Sequence, residues 1–297
     1  MKKIKLAIFS NFFINNEERL QRMKDSFFSF KDINPNEWAI NIRGKLKYKA
    51  GEFLKKEIGD NLNLNYLENR RGWFYDSSII ASKIESDYVM FWIEDNILVS
   101  HPKKLNNCII EMDQYKVDQL WYSFFTKDVQ KKFAIVKPYK IGKYITVTEL
   151  DHKTCREIRK KLKNDFYYIA VVSIMNKNFF MKVLLSNRPF LKRWPRYLPF
   201  DFEKKSRDKI VPVILHALPN EELFVNIDDD RDEKEYSLIS RGLYPNRISR
   251  AEMKINEYEF MSNTNKIKKI LKNINFLTKL NRFIKRIFYT LNLFFNK

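Results

Sequence analysis

A chain of 297 residues that is 44% hydrophobic and 15% aromatic has enough apolar surface to bury a sizeable core, which excludes a disordered protein. Two cysteines, Cys108 and Cys155, and three scattered histidines, His101, His152 and His216, show no metal-type spacing, which argues against structural zinc and against a disulfide framework. The formal net charge is +20, and nine Lys or Arg follow residue 263 with no acid among them, so almost half of the excess belongs to a short tail.

In chain order, Met1-Lys2-Lys3 opens onto an apolar run over 4–9 that is too short for a signal peptide and reads as a first strand of a cytoplasmic protein. Residues 16–30, with Leu20, Met23, Phe27 and Phe30 on one side, read as a helix. A strand over 38–42, a helix over 47–58, a strand over 62–67 and a helix over 73–84 follow. Residues 88–93 form the central apolar strand, which ends abruptly in Glu94-Asp95-Asn96. This alternation predicts an α/β fold with a mostly parallel sheet and right-handed crossovers. Acids at the carboxyl end of a strand lie where open α/β sheets place their ligands, and a carboxylate cluster there suits a hard divalent cation holding a diphosphate.

The second half is less regular. A helix over 101–113 and a strand over 117–125 are expected, then a hairpin from 132–140 and 143–150 turning around Ile141 and Gly142. Residues 166–174 read as a strand and 177–185 as a helix, the stretch 188–199 as an ordered loop, and 211–215 and 221–227 as further strands, the first ended by His216. Asp228-Asp229-Asp230 offers a second cluster of hard oxygen donors, although acid runs are usually solvated loops. Residues 228–263 read as a polar connection in which Arg241, Arg247 and Arg250 either close over a diphosphate or face lipid headgroups. From 264 to 297, apolar residues recur at steps of three and four opposite a basic face, the pattern of an amphipathic helix suited to an anionic bilayer surface. A membrane span is disfavoured by Lys279, Arg282, Lys285 and Arg286, at roughly 2.5 to 3.5 kcal/mol each near the bilayer centre.

The order of strand, Asn-containing turn, helix, two further β-α steps and an apolar strand closed by an acidic triplet resembles the GT-A fold glycosyltransferases, notably the family 2-like enzymes of bacterial surface-glycan (lipopolysaccharide or capsule) synthesis. The resemblance covers roughly residues 1–130. It implies a GT-A domain over 1–227, with a nucleotide-sugar-binding half over 1–100 and an acceptor half over 101–227. It implies that Glu94, Asp95 and Asn96 hold a divalent metal, Mn²⁺ or Mg²⁺, and with it the donor diphosphate; Asn96 departs from the usual second aspartate and weakens the grip on a cation. Ser10 and Asn11 would lie near the nucleobase, Arg70 or Arg71 would pair with phosphate, and Asp76 would approach the nucleoside. Asp201 and Glu203, after an aromatic-rich loop, match the place of the base that deprotonates an acceptor hydroxyl in an inverting transfer; equally, Asp201 suits the N-cap of a helix.

The implied activity is transfer of a sugar from a nucleotide-sugar donor to a glycan or lipid-linked acceptor, by an enzyme peripheral to the inner face of the cell membrane. Nucleic-acid binding is the rival that a pI near 9.7 invites, but no zinc pattern, helix-turn-helix signal or RNA signature accompanies the charge. A nucleotidyltransferase would usually add a Gly-rich phosphate loop, and the chain has six glycines with none clustered after the first strand. A degenerate, non-catalytic relative stays open.

Overall fold

The computed structural model describes residues 4–67, 73–123, 133–134, 136–162, 169–185, 213–228 and 237–248, with side chains excepted at 73–75 and 162. Arg70, Arg71, Asp201, Glu203, Asp229, Asp230, Arg250, the 188–199 stretch and the 264–297 tail lie outside these residues.

The chain begins with β1 (Leu6–Phe13), whose run of small and large apolar side chains is buried on both faces, as a central strand must be. Asn16 then caps α1 (Glu17–Phe30) by accepting the Arg19 amide at 2.8 Å, and Glu17 and Glu18 sit favourably at the positive end of the helix dipole. β2 (Glu37–Arg43), α2 (Lys47–Ile58), β3 (Leu62–Tyr66), α3 (Trp73–Ala81) and β4 (Tyr88–Phe91) complete the alternation. Between β2 and α2, Gly44 adopts φ +109, where a Cβ would lie 2.2 Å from the Ile14 carbonyl oxygen, so only glycine fits this turn.

Successive side chains of a strand face opposite ways, and two aromatic clusters show what covers each face. Phe12 and Trp92 point to α1, where Phe27 and Phe30 pack with Trp38 and Trp92 at centroid distances of 5.2 to 6.1 Å. Phe9 and Phe91 point the other way, to Phe180.

After β4 come β5 (Asn96–Leu98), α4 (Pro102–Gln114), β6 (Gln119–Trp121), β7 (Lys140–Ile141), β8 (Ile145–Asp151), α5 (His152–Leu162), β9 (Ser173–Asn176), α6 (Lys177–Leu185), β10 (Val213–Pro219) and β11 (Phe224–Asn226). Nine strands form one sheet in the order β3-β2-β1-β4-β9-β6-β10-β8-β7, and β5 pairs with β11 in a small second sheet. The pairings run seven of the nine strands in one direction, with β8 and β9 opposed. The fold is therefore α/β, with a mostly parallel sheet flanked by helices. No helix of the described residues is long and apolar enough to cross a membrane.

Several expectations for the second half are corrected. The strand expected over 117–125 spans Gln119–Trp121 among the described residues, and just beyond it the Tyr122 hydroxyl donates to the Phe91 carbonyl. Among the described residues, the first arm of the expected hairpin is reduced to Lys140–Ile141, and the strand expected over 166–174 is Ser173–Asn176. His216 does not end its strand but sits in the middle of β10, opposite Thr148 and Gln119. Within the expected polar connection, 237–248 is anchored: Leu238 packs on Val225 and Ile227, and its amide donates to the Asn226 carbonyl at 2.9 Å.

Candidate functional site

The parallel strands deliver two polar groups of residues to their carboxyl ends, one on each face of β1. Beyond Phe91 the chain leaves the sheet, Glu94 and Asp95 form a turn, and β5 starts at Asn96. Ser10 is buried and donates its hydroxyl to the Trp92 carbonyl at 2.8 Å, tying the end of β1 to the start of this turn. Ser26 of α1 accepts from the Trp92 indole N–H at 2.9 Å and donates to the Asn96 carbonyl at 2.5 Å. The acidic turn is thus bolted to α1 on one side. On the other, the Ile227 amide donates to the Asp95 carbonyl at 2.6 Å, which brings Asp228 alongside.

Two arginines of α1 meet the acids. Arg19 pairs with Glu94. Arg22, 2% exposed, lies between Glu18 at 2.8 Å and Asp228 at 2.6 Å. Burial alone disfavours the Arg22 charge, and its two carboxylate partners more than offset that, raising its pKa. Asp95 has no ion pair among the described residues; burial, then the Glu94 and Asp228 charges, push its carboxyl up to about 7. Burial and the Asp95 charge hold the Tyr122 phenol well above its ordinary value.

The triplet fits a metal poorly. A hard dication needs oxygens converging on one point. Here Glu94 turns to Arg19, the Asn96 amide nitrogen donates to Asp95 Oδ1 at 2.9 Å, and the Asn96 amide oxygen on the far side of that group is buried without a hydrogen-bond partner. No group of three or more His, Cys, Asp or Glu arranged to hold a metal occurs among the described residues.

The second group lies on the opposite face of β1. Asn11, Asn41 and Asn65 are aligned across three adjacent strands. Asn65 donates to Asn41 Oδ1 at 3.3 Å, Asn41 to the Asp76 carbonyl at 2.9 Å, and Asn11 to the Ser77 hydroxyl at 3.2 Å. Asp76, 3% exposed in the first turn of α3, stands 3.5 Å from Arg43 at the end of β2. This ladder holds the start of α3 over the ends of the first three strands, and the Asn11 side-chain amide oxygen is buried with no hydrogen-bond partner among the described residues.

Of the residues singled out in sequence, Glu94, Asp95, Asn96 and Asp228 come together, as do Asn11 and Asp76, while Ser10 serves the β1–β4 junction. Arg241 pairs with Glu222 in a two-pronged contact at 2.8 Å, and Arg247 reaches Glu18 and Asp25 of α1. His216 is remote from both groups, wholly buried between Phe133 and Trp121. Sequence reasoning missed Arg19, Arg22, Asn41 and Asn65. Asn41 carried a signal, since it interrupts the apolar run of β2; Asn65 alternates with Asn63 in β3 and, like the arginines, carried none.

No family model matches the sequence, and no curated protein matches it. Among solved structures, the Staphylococcus aureus TarS 1–349 fragment is 12% identical with a TM-score of 0.47, over 74% of this chain and 60% of that one. The same fragment in complex with UDP-GlcNAc is 14% identical at a TM-score of 0.44, over 74% and 58%. A mannosyltransferase from Pyrobaculum calidifontis, PcManGT, in complex with GDP-Man and Mn²⁺, is 12% identical at 0.33, over 40% and 35%. The chain spans about 60% of the length of the TarS fragment.

Proposed function

We propose that this chain is a glycosyltransferase of GT-A type that takes a sugar from a nucleotide-sugar donor. The observation that carries the reading is the position of Glu94, Asp95 and Asp228 at the carboxyl end of β4, beside the carboxyl end of β1 where the asparagine ladder meets α3. That edge is where a doubly wound sheet receives a nucleotide. The ladder offers amide donors and acceptors to a base and ribose, with Asp76 beside Arg43, and the acidic turn with its arginines faces the diphosphate.

The acceptor is a glycan or lipid-linked hydroxyl of cell-envelope polysaccharide synthesis. Transfer requires a carboxylate that takes the hydroxyl proton as oxygen attacks the anomeric carbon, a role assigned to Asp201 or Glu203, and inversion follows from a single displacement. Arg70 and Arg71 add charge toward the phosphates. The 264–297 helix lies on an anionic membrane surface and raises the effective concentration of anchored acceptors. A chain ending at residue 263 therefore loses sedimentation with phosphatidylglycerol vesicles; retained sedimentation removes the tail as anchor.

The test of the activity is calorimetric and thermal-shift titration with UDP-, GDP-, CMP- and TDP-sugars, UDP-GlcNAc and GDP-Man first. A ligand at about 100 times its Kd stabilises by about 2.7 kcal/mol, so one nucleotide class stands out. Asp76→Ala and Asp95→Ala lose that stabilisation in a folded protein. Silence across the panel overturns the reading.

A further inference from the structure

We propose that the end of the sheet formed by β7, β8 and α5 is a binding surface for an anionic lipid bilayer, a contact built into the folded domain and separate from the 264–297 tail. It is independent of the transferase reading.

Between residues 137 and 161 the chain carries eight Lys or Arg against three acids, Glu149, Asp151 and Glu157. None of the eight is in an ion pair among the described residues. Elsewhere basic side chains such as Arg22, Lys49, Lys104 and Arg241 do find carboxylates. Of the three acids, Asp151 is occupied within the fold, its Oδ1 accepting the Thr154 amide at 2.6 Å at the start of α5.

Helix α5 lies against the domain through Cys155 and Ile158, both fully buried, and turns Lys153, Arg156, Lys160 and Lys161 to solvent. The charge does not serve the helix itself. Lys153 stands in the first turn, at the positive end of the helix dipole, where a cation is unfavourable. Lys153 and Arg156, then Arg156 and Lys160, stand three and four residues apart, so like charges face one another. An anionic surface relieves both conflicts.

β7 closes the sheet at the same end and pairs with β8 alone. Tyr139 and Ile141, two residues apart and so on one side of the strand, are 61% and 70% exposed. Lys137, Lys140 and Lys143 are exposed around them. A nucleic acid would use the charge but has no use for an exposed isoleucine. The bilayer interface takes both, with lysines at the headgroups and tyrosine and isoleucine at the acyl boundary.

The test is sedimentation of the full chain with phosphatidylglycerol and with phosphatidylcholine vesicles across lipid concentration. Binding to phosphatidylglycerol is expected, weakening as salt screens the contact, with little binding to phosphatidylcholine. Each basic residue at such a surface contributes about fivefold in affinity, so Lys153→Gln, Arg156→Gln and Lys160→Gln together weaken binding roughly a hundredfold with the tail intact. Lys31→Gln, Lys56→Gln and Lys83→Gln remove the same charge from the β1–β4 half and change binding by less than about threefold. All six residues are exposed, and thermal melts confirm that both variants are folded. A nitroxide on Ile141→Cys, with Cys108 and Cys155 buried, becomes less accessible to an aqueous quencher when phosphatidylglycerol vesicles are added. An α5 variant that binds like wild type, an equal loss in the control variant, or a nitroxide that stays in water overturns the proposal. So does single-stranded RNA that binds the full chain more tightly than the vesicles through the same three α5 residues, which would make the surface a nucleic-acid site.

Discussion

The Tyr244 hydroxyl donates to Asp25 Oδ2 at 2.5 Å, joining a turn near residue 244 to the middle of α1 across 219 residues of sequence. Arg247 braces the same contact, 3.1 Å from the Tyr244 oxygen, stacked over its ring at 5.0 Å and reaching Glu18 and Asp25. The segment 237–248 is thereby clasped to the helix that carries Arg19 and Arg22. Tyr244→Phe removes one hydrogen bond to a charged group, and a loss of about 1.5 to 3 kcal/mol is expected for local opening. Amide exchange of 237–248 should accelerate while that of β1 and β4 is unchanged; a uniform change across the protein would show that the segment is not clasped in this way.

Arg22 is the harder residue to replace. Arg22→Ala leaves Glu18 and Asp228 facing each other without their cation, and breaking a buried pair of this kind costs about 3 to 5 kcal/mol. Combining Arg22→Met with Glu18→Gln and Asp228→Asn removes the cation and both its carboxylate charges at nearly the same volume and should recover most of that loss in denaturant melts. If Arg22→Met alone recovers as much stability as the combined variant, packing by the Arg22 stem rather than charge compensation holds this corner.

His216 gives the protein an acid-sensitive point. Its ring lies 4.7 Å from that of Phe133 with planes 11° apart, neither nitrogen has a hydrogen-bond partner among the described residues, and burial lowers its pKa to about 3. Because the native state refuses a proton that the unfolded chain accepts below about pH 6.5, the unfolded state binds more protons between the two values. Stability from this group is complete above that range and is lost as pH falls, at about 1.4 kcal/mol per pH unit. His216→Leu should flatten the pH dependence between about 6 and 3, read as the difference in midpoint between the two proteins. Parallel curves for wild type and variant would remove His216 as the cause.

The ladder can be tested through its middle member. Asn41→Ala strips hydrogen bonds from the Asp76 carbonyl and from Asn65 at a site with no solvent exposure. A cost of about 1 to 3 kcal/mol is expected, together with weaker binding of the donor nucleotide as α3 loses its seat. Unchanged nucleotide affinity in a destabilised chain would confine the ladder to a structural role.

The first hundred residues were legible because each apolar run has the length and period of its element. The helix over 47–58 and the later one over 177–185 have the bounds expected, and Trp73 starts α3 as read. Helix α5 was missed because HKTCREIRKKL is strongly basic and, among its described side chains, commits only Cys155 and Ile158 to the core. β5 was missed because a three-residue strand is too short to show a period, whereas β11 lies within the strand expected over 221–227. His216 was read as a strand end because an imidazole in an apolar run suggests a boundary; here two aromatic rings make room for it neutral. The acidic turn was visible, yet its company was not, since Glu18, Arg22 and Asp228 meet only after the chain has crossed the sheet and returned.

Parallel neighbours such as β1, β2 and β3 have no tight turn to tell them how far to slide past one another, and their apolar flanks would accept a shift of two residues with the same faces buried. Between β1 and β2 such a shift would set Asn41 opposite Phe9 or Phe13, and Asn11 opposite Ala39 or Arg43, so that the two amides no longer share a row. The pair of Asn11 and Asn41 thus works as a vernier mark: it admits one alignment of β1 and β2, and so one position for the edge to which the nucleotide is proposed to bind.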